Sequence, residues 1–230
     1  MWAKETNMSP RENIALIEIP SYSRKEELFN SISHMLGLPV AFFILLRAIS
    51  LFISNQISLF YLAGLIIFAM SACAVYLVSS IYHYLGNDSF YKRLFRIIDH
   101  CTIYLLIAGT YTPICFVLSQ TNVIGIIMLV VEWVGALLGI ILNAFFFKHK
   151  TARVISFILY VLMGWLAVYS GGFLYLSKMC FTFILLGGVV YTIGSVLYAI
   201  GHKNTLFHSV FHVFVLISTI IQTIGVFYLF

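Results

Sequence analysis

The sequence predicts an all-α fold, a bundle of seven transmembrane helices with its N-terminus in the cytosol and its C-terminus outside. Three observations carry that prediction. Of 230 residues, 62% are hydrophobic and only 9% charged, where soluble domains are about a quarter charged, and mean hydropathy is +1.03. Seven apolar runs are each long enough for a hydrocarbon core, which takes about 20 helical residues. The lysines and arginines fall on alternate connectors, which orients the chain.

Residues 1–29 read as a cytosolic N-terminal tail, mixed polar and charged, with Pro10 and Pro20. They lack the apolar stretch of a signal peptide, and a short interfacial helix is expected near Ile14 to Ile19. Residues 30–230 form the seven-span membrane domain, with spans near 31–53, 57–84, 95–118, 122–147, 153–173, 179–200 and 205–229. Short connectors make neighbouring spans antiparallel. The clearest breaks are Gly86-Asn87-Asp88, followed by Lys92, Arg93 and Arg96, and then Gln120-Thr121-Asn122. Pro39 and Pro113 are expected to kink or locally open their helices.

With seven spans, the tail shares one side with the second, fourth and sixth connectors. That side carries Lys4, Arg11, Arg24, Lys25, Lys92, Arg93, Arg96, Lys148, Lys150, Arg153 and Lys203, eleven of the 13 basic residues. Arg47 and Lys178 are the other two. The positive-inside rule makes the crowded side cytosolic, and the membrane is read as the plasma membrane. The net charge of +5 is thus topological. No basic patch interleaved with aromatics is present, which sets nucleic acid aside as a partner. Cys73, Cys101, Cys115 and Cys180 are scattered without a C-x-x-C pair, which disfavours a disulfide framework or a thiolate metal site.

Topology then assigns depth to the polar residues. The second span ends in Ser79-Ser80-Ile81-Tyr82-His83 at the cytosolic face, the third begins there with Asp99, and the seventh begins there with His208 and His212. His34 lies at a similar level in the first span. His208 and His212 are four residues apart, so both rings occupy one helix face. Three imidazoles with a fourth position left to water form a standard catalytic zinc arrangement, and His83, His208 and His212 are the candidate ligands. Asp99 either completes that set or acts on the water as general base. Ser79, one turn before His83, is a candidate to orient its ring. His100 faces away from Asp99 and is read as structural, while His149 and His202 are read as surface residues. An intramembrane histidine also has a plainer use, as an interhelical hydrogen-bonding group.

Several ordered motifs carry a resemblance. Ser79-x-x-x-His83, Asp99 in the third span and His208-x-x-x-His212, with seven spans and an inside tail, resemble the progestin and adiponectin receptor family. Glu27-x-x-Asn30-x-x-Ser33-His34, Asp99-His100, Gly109-Thr110-Tyr111-Thr112-Pro113 and Met163-Gly164-Trp165 are similar to its bacterial branch, the hemolysin III proteins. The match runs from about residue 26 to 230. The resemblance implies zinc on His83, His208 and His212, with Asp99 and Ser79 near its water. Ceramidases in the wider superfamily imply hydrolysis of a lipid amide or ester whose acyl chain lies among the spans. The alternatives are a non-enzymatic receptor or membrane-homeostasis regulator with a structural zinc, or a pore-forming hemolysin.

Three further features stand apart. Glu27, Asn30 and His34 share a helix face and are read as capping the first span and bonding its neighbours, with His34 alternatively a proton relay. Glu132 lies mid-span, where an ionisable group is costly, and Arg47 either snorkels or pairs with it. Gly135-x-x-x-Gly139 reads as close packing within the chain or as a dimer face.

Overall fold

The computed structural model describes residues 9–86, 89–200 and 205–230. Lys4, Asn87, Asp88, His202 and Lys203, which figure in the sequence reading, lie outside the described residues. The fold is all-α. Its helices are α1 (Pro10–Ala15), α2 (Arg24–Met35), α3 (Leu38–Ile53), α4 (Leu59–Tyr84), α5 (Phe90–Ser119), α6 (Val123–Phe146), α7 (Lys150–Gly164), α8 (Leu166–Tyr169), α9 (Lys178–Ile200) and α10 (Leu206–Phe227).

Local chemistry sets the boundaries. Ser9 and Glu12 form a capping box that starts α1, with Pro10 in its first turn. The tail helix thus starts ahead of the expected Ile14 to Ile19 and overlaps it only at Ile14 and Ala15, and Ile17 follows it in non-helical chain, buried against Ile97 and Phe147. A second capping box, Ser23 with Glu26, starts α2. Helix therefore begins at Arg24, ahead of the apolar run, because caps and not hydropathy decide where a helix can start. Between α2 and α3 the chain turns at Leu36-Gly37. A Cβ on Gly37 would lie 2.2 Å from the Tyr76 ring, so glycine lets this turn sit against α4. Pro39 follows within the first turn of α3, where its missing N–H is harmless. Pro113 lies inside a continuous α5.

Six segments among the described residues are long and apolar enough to cross a bilayer, with α2 and α3 counted as one. The segment expected at 153–173 is built differently. The 15-residue α7 stops at Gly164, the short α8 follows, and a 3-10 turn covers Gly172–Tyr175. Gly164's carbonyl accepts a hydrogen bond from Tyr111 Oη at 2.9 Å, a tertiary contact invisible to hydropathy.

The outward surface is apolar, as a lipid-facing surface should be. Leu46, Leu138, Ile158 and Ile193 are exposed, whereas Glu27, Asn30, His34, His83 and Lys92 are buried. In water this arrangement would be inside out; in lipid, polar groups turn to one another. Helix α4 packs on α5, α5 on α6, and α9 on α10, while α2 touches both α4 and α10. Ser31 and Ser80 tie α2 to α4 reciprocally, each hydroxyl donating to the other's carbonyl at 2.9 and 3.1 Å. Small residues at that seam permit the close approach, and the seam brings the polar face of α2 to the histidines.

Candidate metal centre

Each histidine is positioned by a helix end. His83 lies in the last turn of α4, and His208 and His212 occupy successive turns at the start of α10. Their Nε2 atoms converge: His208 Nε2 is 3.2 Å from that of His83 and 2.9 Å from that of His212. One nitrogen from each lies within 4.8 Å of the others. Tetrahedral zinc with Zn–N near 2.0–2.1 Å would hold such nitrogens about 3.3 Å apart, so the rings are close to the required spacing.

The donor set fits a cation for a second reason. A neutral imidazole carries one ring proton. His83 Nδ1 is 2.6 Å from Glu27 Oε2, and a carboxylate can only accept, so that proton sits on Nδ1 and Nε2 offers a lone pair. His212 Nδ1 faces His34 Nδ1 at 3.0 Å, and His208 Nδ1 has no hydrogen-bond partner among the described residues. Three Nε2 atoms facing one another cannot all be satisfied by the protons left, whereas one cation accepts all three lone pairs.

Four of the five residues expected at the site, Ser79, Asp99, His208 and His212, line one cavity, and the fifth, His83, meets them through His208. That cavity, of about 140 Å³, is also lined by His34. Asp99 is half-buried and Ser79 fully buried. The partner of His83 Nδ1 is Glu27, not Ser79, so Ser79 faces the cavity rather than orienting that ring. From the histidines the cavity runs between α5, α7, α9 and α10, past Ile103, Ile107 and Val161, to Gln222. Gln222 is 14 residues beyond His208 on α10, roughly 21 Å at 1.5 Å per residue. His100 also lines it, and packs edge-on against Phe147 with centroids 4.8 Å apart.

Sequence reasoning missed two parts of the centre. Lys92, counted there among the connector charges, is fully buried, with Nζ 2.5 Å from Glu27 Oε1. It lies seven residues before Asp99 and so on the same face of α5, as Glu27 precedes His34 by seven on α2. That doubled spacing was the available signal. The second is Tyr22, whose ring stacks on His208 with centroids 5.1 Å apart and planes at 29°. Burial raises its phenol pKa above the ordinary value, so Tyr22 is a neutral wall at physiological pH.

Comparison with known proteins gives consistent matches. A family model described as "Haemolysin-III related" matches residues 22–223. The chain is similar to the "Hemolysin-3 homolog" of Bacillus subtilis (strain 168), 36% identical over 202 residues, covering 85% of this chain and 90% of the relative. It is also similar to "Hemolysin-3" of Bacillus cereus, 32% identical over 198 residues, covering 84% and 86%.

Proposed function

The chain belongs to the haemolysin III-related family of multi-pass membrane proteins, and from its histidine centre we propose that it holds zinc within the membrane and hydrolyses an amide or ester bond of a membrane lipid. One observation carries this reading: His208 and His212, whose Nε2 atoms converge with that of His83, line one cavity together with Asp99, and its remaining walls are largely apolar. His83, His208 and His212 would hold the ion. When bound, zinc supplies Lewis acidity and a water acidified enough to attack a carbonyl near neutral pH.

The chain's own residues supply the rest. The apolar walls from Ile103 to Val215 accept the acyl chain and keep bulk water from its path. Asp99 takes the proton from the attacking water and returns it to the leaving amine or alcohol. One bond forms, from water oxygen to carbonyl carbon, and one breaks, from that carbon to the leaving group. Ser79 offers its hydroxyl beside Asp99 as a hydrogen-bonding group. Basic residues at the tail and the α5 and α7 starts favour the cytosolic side of the plasma membrane for this end of the bundle.

A second reading has its own support. The candidate ligands come from two helices, α4 and α10, with Glu27 and His34 on α2 behind them, so a metal there would brace three elements of a receptor or regulator. The experiment separates the two. Mass spectrometry of purified wild type should find about one zinc per chain, lost in His208→Ala and His212→Ala. Asp99→Ala should keep its zinc while fatty-acid release from a panel of lipid amides and esters falls by about 10²–10⁴-fold. Zinc retained with no hydrolysis by wild type favours the brace, and a folded wild type without metal sinks both.

A further inference from the structure

Glu27 and Lys92 are 2% and 0% exposed, and both charges have been taken out of water, which is expensive unless every group is matched. Here the matching is complete. Glu27 spends one oxygen on Lys92 Nζ at 2.5 Å and the other on His83 Nδ1 at 2.6 Å. An ammonium has three protons. Lys92 directs one to Glu27 Oε1 and one to the carbonyl of Leu85 at 3.0 Å, and its Nζ lies 5.0 Å from the Tyr82 ring centroid. Leu85 caps α4, the helix that carries His83. The pair therefore links the start of α2, the end of α4 and the start of α5 at one point.

The three imidazoles are not backed alike. His212 is backed by the ring of His34, and His208 Nδ1 has no hydrogen-bond partner among the described residues. Among the described residues, only His83 of the three is backed by a carboxylate. We propose that Glu27 and Lys92 are positioning residues for the metal: Glu27 fixes His83 as its Nδ1–H tautomer with Nε2 turned to the ion, and Lys92 holds Glu27 in place. The inference rests on the metal reading above. A carboxylate behind a ligating imidazole fixes the ring's orientation and makes it a stronger donor. Lys92 cancels the charge of Glu27, so the pair adds orientation and a local dipole to the site without adding net charge.

The test uses purified full-length protein in lipid nanodiscs. Zinc affinity is measured by competition with a chromophoric chelator, and the visible spectrum of the cobalt-substituted protein reports the ligand field directly. Glu27→Ala should weaken zinc by about 10–100-fold and shift the cobalt bands. Lys92→Met should do the same in smaller measure. Because either single variant leaves a buried partner exposed to its loss, the double variant Glu27→Gln/Lys92→Met is the control for folding. It replaces the ion pair with a neutral one of similar shape and keeps an acceptor for Nδ1–H. It should fold, with zinc affinity and cobalt spectrum closer to wild type than those of Glu27→Ala. Wild-type affinity and an unchanged cobalt spectrum in Glu27→Ala, even with a lower melting temperature, would reduce the pair to a structural salt bridge and overturn the proposal. Absence of metal from wild type would instead overturn the zinc reading on which it stands.

Discussion

At the scale of single residues, Glu132 and the cluster around His83 show opposite treatments of buried charge. Glu27, His83 and Lys92 satisfy one another, whereas both Glu132 oxygens lack a hydrogen-bond partner among the described residues although the residue is fully buried. Arg47 is exposed on α3 and does not pair with it. A buried polar group left unpaired costs about 1–3 kcal/mol. Glu132→Leu is therefore expected to raise the melting temperature, by about 2–4 °C per kcal/mol recovered in a chain of this size. Its metal content should not change, because Glu132 does not line the histidine cavity. A lower melting temperature in a thermal scan would mean that the carboxyl has a partner worth keeping.

At the scale of helices, two features of the sequence acquire specific contacts. Gly135-x-x-x-Gly139 faces inward: a Cβ on Gly139 would lie 2.1 Å from Tyr104 Cζ, whereas one on Gly135 would meet Met163 Sδ at 3.1 Å. Tyr104 is fully buried and cannot retreat, but a methionine side chain can. Gly139→Ala should destabilise by about 1–3 kcal/mol through overpacking, and Gly135→Ala by less; equal melting temperatures for the two would refute this. The basic residues after the second span also do more than orient the chain. Arg93 Nε donates to the carbonyl of Ile17 at 3.1 Å and Arg96 to that of Glu18. These bonds strap residues 16–22, with Tyr22, across the histidines. Arg96→Ala should speed amide hydrogen exchange over that stretch while exchange in α4 and α5 stays as in wild type. Unaltered exchange at residues 16–22 would show that the bond holds nothing.

At the scale of the whole molecule, the charge asymmetry and the position of the site make one statement about sidedness. The tail, the end of α4 and the starts of α5 and α10 lie together, and the histidines lie just inside them. With Ser9→Cys and Gln56→Cys as separate probes, an impermeant maleimide added to intact cells should label Gln56→Cys. Ser9→Cys should react only after permeabilisation. The reverse pattern would put the candidate centre on the outer side and contradict the positive-inside reading. The broken fifth segment is the other large-scale feature. Its helix is only 15 residues long, and it walls the cavity with Tyr160, Val161 and Gly164, so its interruption lies where the interior is open.

Much of this molecule was legible in its sequence. The all-α membrane fold follows from composition and run length, because a bilayer leaves the backbone few ways to satisfy itself. His83, His208 and His212 could be grouped because depth and helical period are both one-dimensional properties, and antiparallel spans convert chain position into depth. Facing is not one-dimensional. Which helix packs beside which, and which nitrogen of a ring meets which oxygen, depend on lateral arrangement, on which hydropathy is silent. Only the tertiary structure turned Lys92 from a connector charge into a buried partner of Glu27. It alone gave His83 a carboxylate rather than Ser79, broke the fifth span at a contact with Tyr111, and laid Tyr22 over His208.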